Sequence, residues 1–91
     1  MMEFFYEPGR VYALDPGGRL IAEVTFPSSG GTAVIDHTFV DSSLRGKGVA
    51  SWLLSAAVEQ IRAAGLKARP TCSYAQRWFR DHPEAADLLQ P

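Results

Sequence analysis

Asp41-Ser42-Ser43-Leu44-Arg45-Gly46-Lys47-Gly48-Val49-Ala50 is a short polar segment at which the hydrophobic period changes from that of a strand to that of an α-helix. After it, apolar residues recur at helical spacing between Val49 and Ala64. This stripe consists of Ala50, Leu53, Leu54, Ala57, Ile61 and Ala64. The segment therefore connects a strand to a long predicted helix, and Gly65 is placed to end that helix as a left-handed cap.

Upstream of this segment, reversals rich in Pro and Gly separate three predicted strands. The strands run from Arg10 to Leu14, from Arg19 to Phe26 and from Thr32 to Val40, and they form an antiparallel meander. Simple alternation along the third strand places His37 on the same face as Ile35 and Phe39. Downstream, Leu66 to Thr71 is a fourth strand. Pro70 restricts this strand to an edge, an end or a bulge, and a strand that splays there would open a crevice.

A second helix is predicted from Tyr74 to about Arg80. Ser73 followed three residues later by Gln76 has the form of a capping box. His82 ends the helix because it precedes a proline, and Pro83 to Leu89 can form one or two further turns. The predicted order is β-β-β-α-β-α, in a mixed α/β fold.

The 91 residues indicate one small domain, with 9 Lys and Arg against 10 Asp and Glu and a single cysteine. One cysteine cannot form an intramolecular disulfide, which favours a reducing compartment. A net charge of -1 provides no basic field for nucleic acid. The sequence shows no signal peptide and no membrane-length apolar run. We therefore expect a cytoplasmic domain that binds neither nucleic acid nor membrane.

Gly46 and Gly48 lie where the backbone can approach a ligand closely, just before the free amides of a helix start. Such a helix start binds anions, typically a pyrophosphate, and Lys47 adds a positive charge. Two known phosphate loops do not fit. A Walker loop requires a hydroxyl residue after Gly-Lys, where this chain has Gly48, and a dinucleotide fingerprint requires Gly or Ala where it has Ser51.

The pattern [QR]-x-x-G-x-[GA] does fit, through Arg45, Gly48 and Ala50. At these residues the sequence resembles the GNAT superfamily of acetyl-CoA-dependent N-acetyltransferases. The runs 36–40 and 70–75 also resemble a minimal single-domain subgroup that carries a strand-borne cysteine, so that the resemblance extends from about Tyr12 to Leu89. It implies a truncated GNAT-like mixed sheet. The tight turn at 15–18 leaves no room for the two helices that help to build the acceptor site in a full GNAT domain.

The resemblance further implies that coenzyme A is bound as the acetyl-CoA cosubstrate and that no metal is required. Arg45 would lie at the lip of the loop, Val40 would pair with the pantetheine arm, and Phe39 and Val40 would lie near the thioester carbonyl. Tyr74 would touch the pantetheine or the sulfur. The pyrophosphate would be held by the backbone amides of Gly46, Lys47, Gly48, Val49 and Ala50.

Cys72 and His37 are the candidate catalytic residues. Cys72 precedes a predicted helix, where free amides and the helix dipole favour a thiolate, although a buried structural cysteine is an open alternative. His37 is the best base in the chain, with a core histidine as its alternative. If the third and fourth strands are parallel neighbours, the two residues could face one crevice as a nucleophile and its base.

The resemblance thus implies acetyl transfer from coenzyme A to an amine acceptor, small molecule or protein, either directly or through an acetylated Cys72. The alternative is a non-catalytic acyl-CoA-binding or regulatory module. Both a monomer and a homodimer are compatible with the sequence.

Overall fold

The protein, seen here in a computed structural model, is described from residue 2 to residue 91. Within that range it contains seven strands and two α-helices, with short 3-10 helices at Ser42–Leu44 and Pro83–Leu88. The elements are β1 (Phe5–Glu7), β2 (Arg10–Leu14), β3 (Leu20–Thr25), β4 (Ser28–Ser29), β5 (Thr32–Ile35), β6 (His37–Val40), α1 (Val49–Ala63), β7 (Lys67–Pro70) and α2 (Ser73–Asp81). The mixed α/β fold with an antiparallel N-terminal meander is confirmed. The strands β1 and β4, both very short and beside Pro–Gly reversals, are additions to the predicted order.

The strands form two sheets. A four-stranded antiparallel sheet has the order β1-β2-β3-β6, and a three-stranded sheet has the order β4-β5-β7. The strands β5 and β7 are parallel neighbours, with Thr32 opposite Lys67 and Ile35 opposite Pro70. This pairing confirms the predicted parallel arrangement across α1.

The predicted strand from Thr32 to Val40 is divided at Asp36, and its two halves belong to different sheets. Because Asp36 lies outside both ladders, the alternation of side chains reverses across it. Ile35 is fully buried, whereas His37 and Phe39 are exposed. The prediction that His37 shares a face with Ile35 is therefore wrong, and only its shared face with Phe39 remains.

The helix α1 packs on one face of the four-stranded sheet and provides much of the core. Its buried residues are Val49, Leu53, Leu54, Ala57, Val58 and Ile61. Four of the six residues of the predicted stripe are therefore confirmed, whereas Ala50 and Ala64 are not buried and Val49 and Val58 were not predicted. The helix ends as predicted, because Gly65 has φ of 71° and the amides of Gly65 and Leu66 donate to the carbonyls of Arg62 and Ile61. Within residues 2–91, no helix has the length and apolar character needed to span a membrane.

The helix α2 begins one residue earlier than predicted. Its N-cap is Cys72, whose Sγ accepts a hydrogen bond from the Ala75 amide at 3.4 Å. The predicted capping box is wrong, since Gln76 instead donates to the carbonyl of Pro70. The helix ends at His82 as expected, where the Nδ1 of His82 lies 2.7 Å from the carbonyl oxygen of Trp78.

Candidate active site

The two sheets separate where the pairing of β5 with β7 ends. The amides of Thr71 and Cys72 both donate to the carbonyl of Ile35, at 3.0 and 3.3 Å, and the chain then turns into α2. Beyond this point β6 is the last strand of its sheet, and no strand in residues 2–91 pairs with its second edge. The splay that the sequence predicts at Pro70 thus leaves β6 with an open edge.

The backbone groups on that open edge follow from the strand register. The amide of Asp41 donates to Ile21 of β3 at 2.8 Å. Backbone groups of an antiparallel strand alternate in direction, so the amide of Phe39, two residues earlier, also faces β3. The backbone N–H and C=O groups of Thr38 and Val40 therefore face the open edge.

A cleft of about 460 Å³ lies between this edge, the start of α1 and the start of α2. It is lined by Thr38, Val40, Leu44, Arg45, Gly46, Gly48, Val49, Ala50, Ser51 and Tyr74. No carboxylate is among these residues, and Arg45 is the one lining residue that is positively charged at neutral pH. The charge of the cleft suits an anionic ligand.

The loop before α1 presents unpaired backbone amides to this cleft. Gly46 and Gly48 have φ of 80° and 75°, and Lys47 between them has a negative φ, so consecutive amides can converge as in an anion-binding nest. The first helical amide to find a backbone acceptor is that of Trp52, which donates to Gly48 at 3.1 Å. In residues 2–91 the six amides of 46–51 donate to no other backbone group, and α1 has no side-chain cap.

Asp41 fixes the entry into this loop. Its Oδ2 accepts hydrogen bonds from both the amide and the hydroxyl of Ser43, and these bonds hold the pKa of the Asp41 carboxyl below its ordinary value. Asp41 also lies 3.9 Å from the Arg19 guanidinium. The carboxylate is thereby directed into the turn rather than towards the anion-binding amides.

The opposite wall of the cleft is formed by α2. Tyr74 lines it, and burial raises the pKa of its phenol, so Tyr74 is protonated at neutral pH. One turn along α2, Trp78 donates from its indole N–H to the hydroxyl of Ser51, at 3.2 Å. Because Ser51 is in the first turn of α1, this bond ties the Tyr74 wall to the loop that carries the free amides.

The structure brings seven of the nine predicted coenzyme-binding residues into this one cleft: Val40, Arg45, Gly46, Gly48, Val49, Ala50 and Tyr74. The other two, Phe39 and Lys47, are exposed and do not line it. Three lining residues were missed: Thr38, Leu44 and Ser51. For Thr38 the available signal was Asp36, since aspartate is disfavoured in strands and marks the reversal of faces.

Cys72 and His37 do not meet. The Sγ of Cys72 lies 3.6 Å from Oγ1 of Thr38, whereas Nε2 of His37 lies 3.4 Å from Oε1 of Glu23. Consecutive residues of a strand point to opposite faces, so His37 and Thr38 point away from each other. The predicted nucleophile–base pair is therefore not formed, and the break at Asp36 is the reason. Each residue separately stays a candidate.

Comparisons with known proteins identify the family of this fold. A family model described as GCN5-related N-acetyl-transferase matches residues 10–88. Protein NATD1 of Xenopus tropicalis is 36% identical over 62 residues, which are 66% of this chain and 57% of the frog protein. Human NATD1 is 35% identical over 65 residues, with 67% of this chain and 58% of the human protein covered. The chain thus spans less than two thirds of these relatives.

Two solved structures extend the comparison. A GCN5-like protein from Staphylococcus aureus, solved by NMR, is 30% identical, with a TM-score of 0.80 over 98% of this chain and 88% of that one. YhbS from Escherichia coli, a GNAT family N-acetyltransferase solved in complex with CoA, is 22% identical, with a TM-score of 0.56 over 63% of this chain and 35% of that one. The likeness to YhbS shows the fold alone. On the family match and the S. aureus structure, this chain belongs to the GCN5-related N-acetyltransferase family.

Proposed function

We propose that the chain binds acetyl-CoA in the cleft between β6, α1 and α2 and transfers its acetyl group to an amine. The observation that carries this proposal is the set of unpaired amides at 46–51, which opens into a cleft without carboxylates. An anion-binding helix start of this kind suits a pyrophosphate. Family membership and the CoA complex of the structural neighbour YhbS also support it.

The residues divide the binding between them. The amides of 46–51 donate to the pyrophosphate, and Arg45 contributes a positive charge at the rim of the cleft. The open edge of β6 offers the backbone groups of Thr38 and Val40 to the amide groups of a pantetheine arm, as a peptide adds to a sheet edge. The cleft, at about 460 Å³, is within the ordinary range for a bound small molecule.

Acetyl-CoA, when bound, supplies an activated thioester carbonyl for attack by an amine. The backbone N–H groups on the open edge of β6 can donate to a developing oxyanion. The protonated phenol of Tyr74 can donate a hydrogen bond to a leaving sulfur in the cleft, because its raised pKa keeps the proton on the oxygen. The chain thus provides donors for both sites of negative charge in acyl transfer.

Binding is tested by titrating CoA and pantetheine separately into the purified protein. We expect CoA to bind far more tightly, because pantetheine lacks the pyrophosphate, and we expect its affinity to fall with added salt. At a hundred times its dissociation constant, CoA should stabilise the fold by about 2.7 kcal/mol. Arg45→Gln should weaken CoA but not pantetheine. Equal affinities for the two ligands would contradict the proposed phosphate site.

Transfer is tested by following free CoA thiol released from acetyl-CoA in the presence of a panel of primary amines. Release of CoA thiol that depends on the acceptor supports the proposal that the chain is an acetyltransferase. Tight CoA binding without any acceptor-dependent release would instead favour the non-catalytic module. The panel should include small polyamines, amino-sugar compounds and peptides with free N-termini or lysines.

A second route is acetylation of Cys72. It is favoured by the 3.6 Å contact between Cys72 Sγ and Thr38, whose side chain lines the cleft. The thiolate would displace the CoA thiolate from the acetyl carbon, an exchange of one thioester for another, and an amine would then take the acetyl group. Intact mass after incubation with acetyl-CoA tests this route. Full activity of Cys72→Ser without any acetyl mass on the wild-type cysteine would exclude it.

A further inference from the structure

A row of charged side chains crosses the face of the four-stranded sheet that α1 does not cover, which we call the outer face. Nε of Arg10 on β2 pairs with Oε2 of Glu23 on β3. Oε1 of the same carboxylate lies 3.4 Å from Nε2 of His37 on β6. The row therefore links three adjacent strands through one glutamate.

Glu23 is the most enclosed member of this row. Its side chain is 15% exposed, against 31% for Arg10 and 53% for His37. In the strand register it has Tyr12 on one side and Phe39 on the other, so aromatic side chains flank the carboxylate. With Oε2 engaged by Arg10, Oε1 is directed towards the imidazole.

The geometry has a chemical consequence for His37. A carboxylate only accepts hydrogen bonds, so a neutral imidazole facing it carries its proton on Nε2. Nδ1 is then the acceptor, on a side chain that is half exposed. A distance of 3.4 Å is long for a hydrogen bond, but such contacts between a base and its orienting group shorten when substrate is bound.

The position of His37 relates this row to the cleft. His37 precedes Thr38 on β6, and Thr38 lines the cleft from the opposite face of that strand. The edge of β6 between the two faces is open, so a group held at this edge is accessible from the outer face. Besides Glu23, the charged groups around His37 on this face are Arg10, Glu7 and Asp36, the last bonded to Thr25 directly across from His37. Glu23 and Asp36 are the carboxylates beside the imidazole, which suits an approaching ammonium group, whereas Glu7 is paired with Arg10 and Tyr12 two strands farther away.

We propose that Glu23 is a positioning residue that holds His37 with Nδ1 free, so that His37 removes the proton from an acceptor amine arriving on the outer face. This inference rests on the proposed function. In the step, the acceptor arrives as an ammonium group and gives one proton to Nδ1 of His37. The resulting amine nitrogen forms its bond to the acetyl carbon as the carbon–sulfur bond breaks, and the sulfur takes a proton from Tyr74. The acylated nitrogen then loses its surplus proton to solvent, from which the Tyr74 phenolate is reprotonated, so that a neutral amide and a free CoA thiol are left. Cys72 has no part in this route.

Kinetics provide the first test. His37→Ala should lower kcat on the order of 100-fold and Glu23→Gln about tenfold, with the KM for acetyl-CoA unchanged in both. The matched control is Glu7→Gln, which removes a carboxylate from the same face and the same arginine but does not contact His37. The double variant should be no slower than His37→Ala, because Glu23 acts through His37. Imidazole in solution should restore part of the rate of His37→Ala. Additive losses, or an equal loss in Glu7→Gln, would overturn the proposal.

A second test needs no turnover. Nitrogen-15 NMR of the imidazole at alkaline pH should show the Nε2-protonated tautomer of His37 in the wild type and in Glu7→Gln. Glu23→Gln should shift the ring towards a mixture of tautomers. A tautomer that Glu23→Gln leaves unchanged would refute the positioning role whether or not the protein is active. Failure of the proposed function would show separately, as a wild type that neither binds CoA nor releases its thiol.

Discussion

Replacing Gly48 by alanine separates the two functions of the loop before α1, its backbone conformation and its contact with a ligand. Gly48 has φ of 75°, where an L-residue is disfavoured by about 1–2 kcal/mol. Alanine also lowers the conformational entropy of the unfolded chain, and this stabilises the folded state by about 0.4–1 kcal/mol. The net destabilisation is about 1 kcal/mol, or roughly 4–8 °C in melting temperature for a domain of this size. An added Cβ would meet no atom of the chain within 4 Å, so backbone strain is the whole intramolecular effect.

The chain provides its own control at the other end of the same helix. Gly65 has φ of 71° and equally empty surroundings, so Gly65→Ala should destabilise the fold by a similar amount. Only Gly48, however, lines the cleft. A methyl group there should disturb one or two charge-assisted hydrogen bonds, each worth about 1.5–3 kcal/mol, and weaken CoA by about 10- to 100-fold or more.

The assay pairs denaturant unfolding of both variants with calorimetric titration of CoA. We expect two similar losses of stability and one loss of affinity, confined to Gly48→Ala. Equal CoA affinities for the two variants would refute the assignment of the phosphate site to this loop. An unchanged stability of Gly65→Ala would refute the strain argument itself.

Three further predictions concern stability. Cys72→Ala should cost about 1 kcal/mol in urea unfolding because α2 loses its N-cap, whereas Cys72→Ser should retain the stability, since serine is a preferred cap; equal losses would contradict the capping role. Ser51→Ala leaves the buried indole N–H of Trp78 without its acceptor and should cost about 1–3 kcal/mol by the same measurement. Asp41→Asn should lower the melting temperature at neutral pH. The pKa of Asp41 is lowered on folding from 3.8, so its hydrogen bonds to Ser43 stabilise the fold above that value and are lost as pH falls through the folded pKa. The difference from the wild type should therefore vanish in acid, and a pH-independent difference would contradict this account.

Local signals predicted most of the elements. The centre of the α1 stripe, the left-handed cap at Gly65 and the end of α2 at His82 all depend on residues close in sequence, and the structure confirms them. The end of strand pairing at Pro70 was predictable for the same reason, because a proline removes a backbone donor wherever it lies. Five of the seven predicted cofactor residues in the cleft belong to the loop motif, which is itself a local feature, whereas Val40 and Tyr74 reach the cleft from β6 and α2.

The relation between Cys72 and His37 was not predictable in this way. It depended on whether Thr32 to Val40 is one strand, and no glycine or proline marks the break at Asp36. Because Asp36 lies outside the ladder, each later side chain of this segment lies on the face opposite to the one that simple alternation predicts. His37 and Cys72, which were predicted to be partners, are therefore on opposite faces. The N-cap of α2 was not predicted for a different reason. Cysteine is not a usual capping residue, whereas serine is, so Ser73 was expected to be the cap in place of Cys72.

The division of one strand at Asp36 also has a consequence for the order of folding. The pairs of the four-stranded sheet join segments close in sequence, whereas β5 and β7 bring together residues 35 positions apart, such as Thr32 and Lys67. Closing that longer loop costs more entropy, so we expect the meander to form first and the three-stranded sheet to close last. The wall that carries Tyr74 follows β7 and would be the last part of the cleft to assemble. By the same reasoning the hydrogen-bonded amides of α2 should exchange sooner in the native state than those of α1, which makes α2 the wall of the cleft best suited to open for the entry of a long cosubstrate.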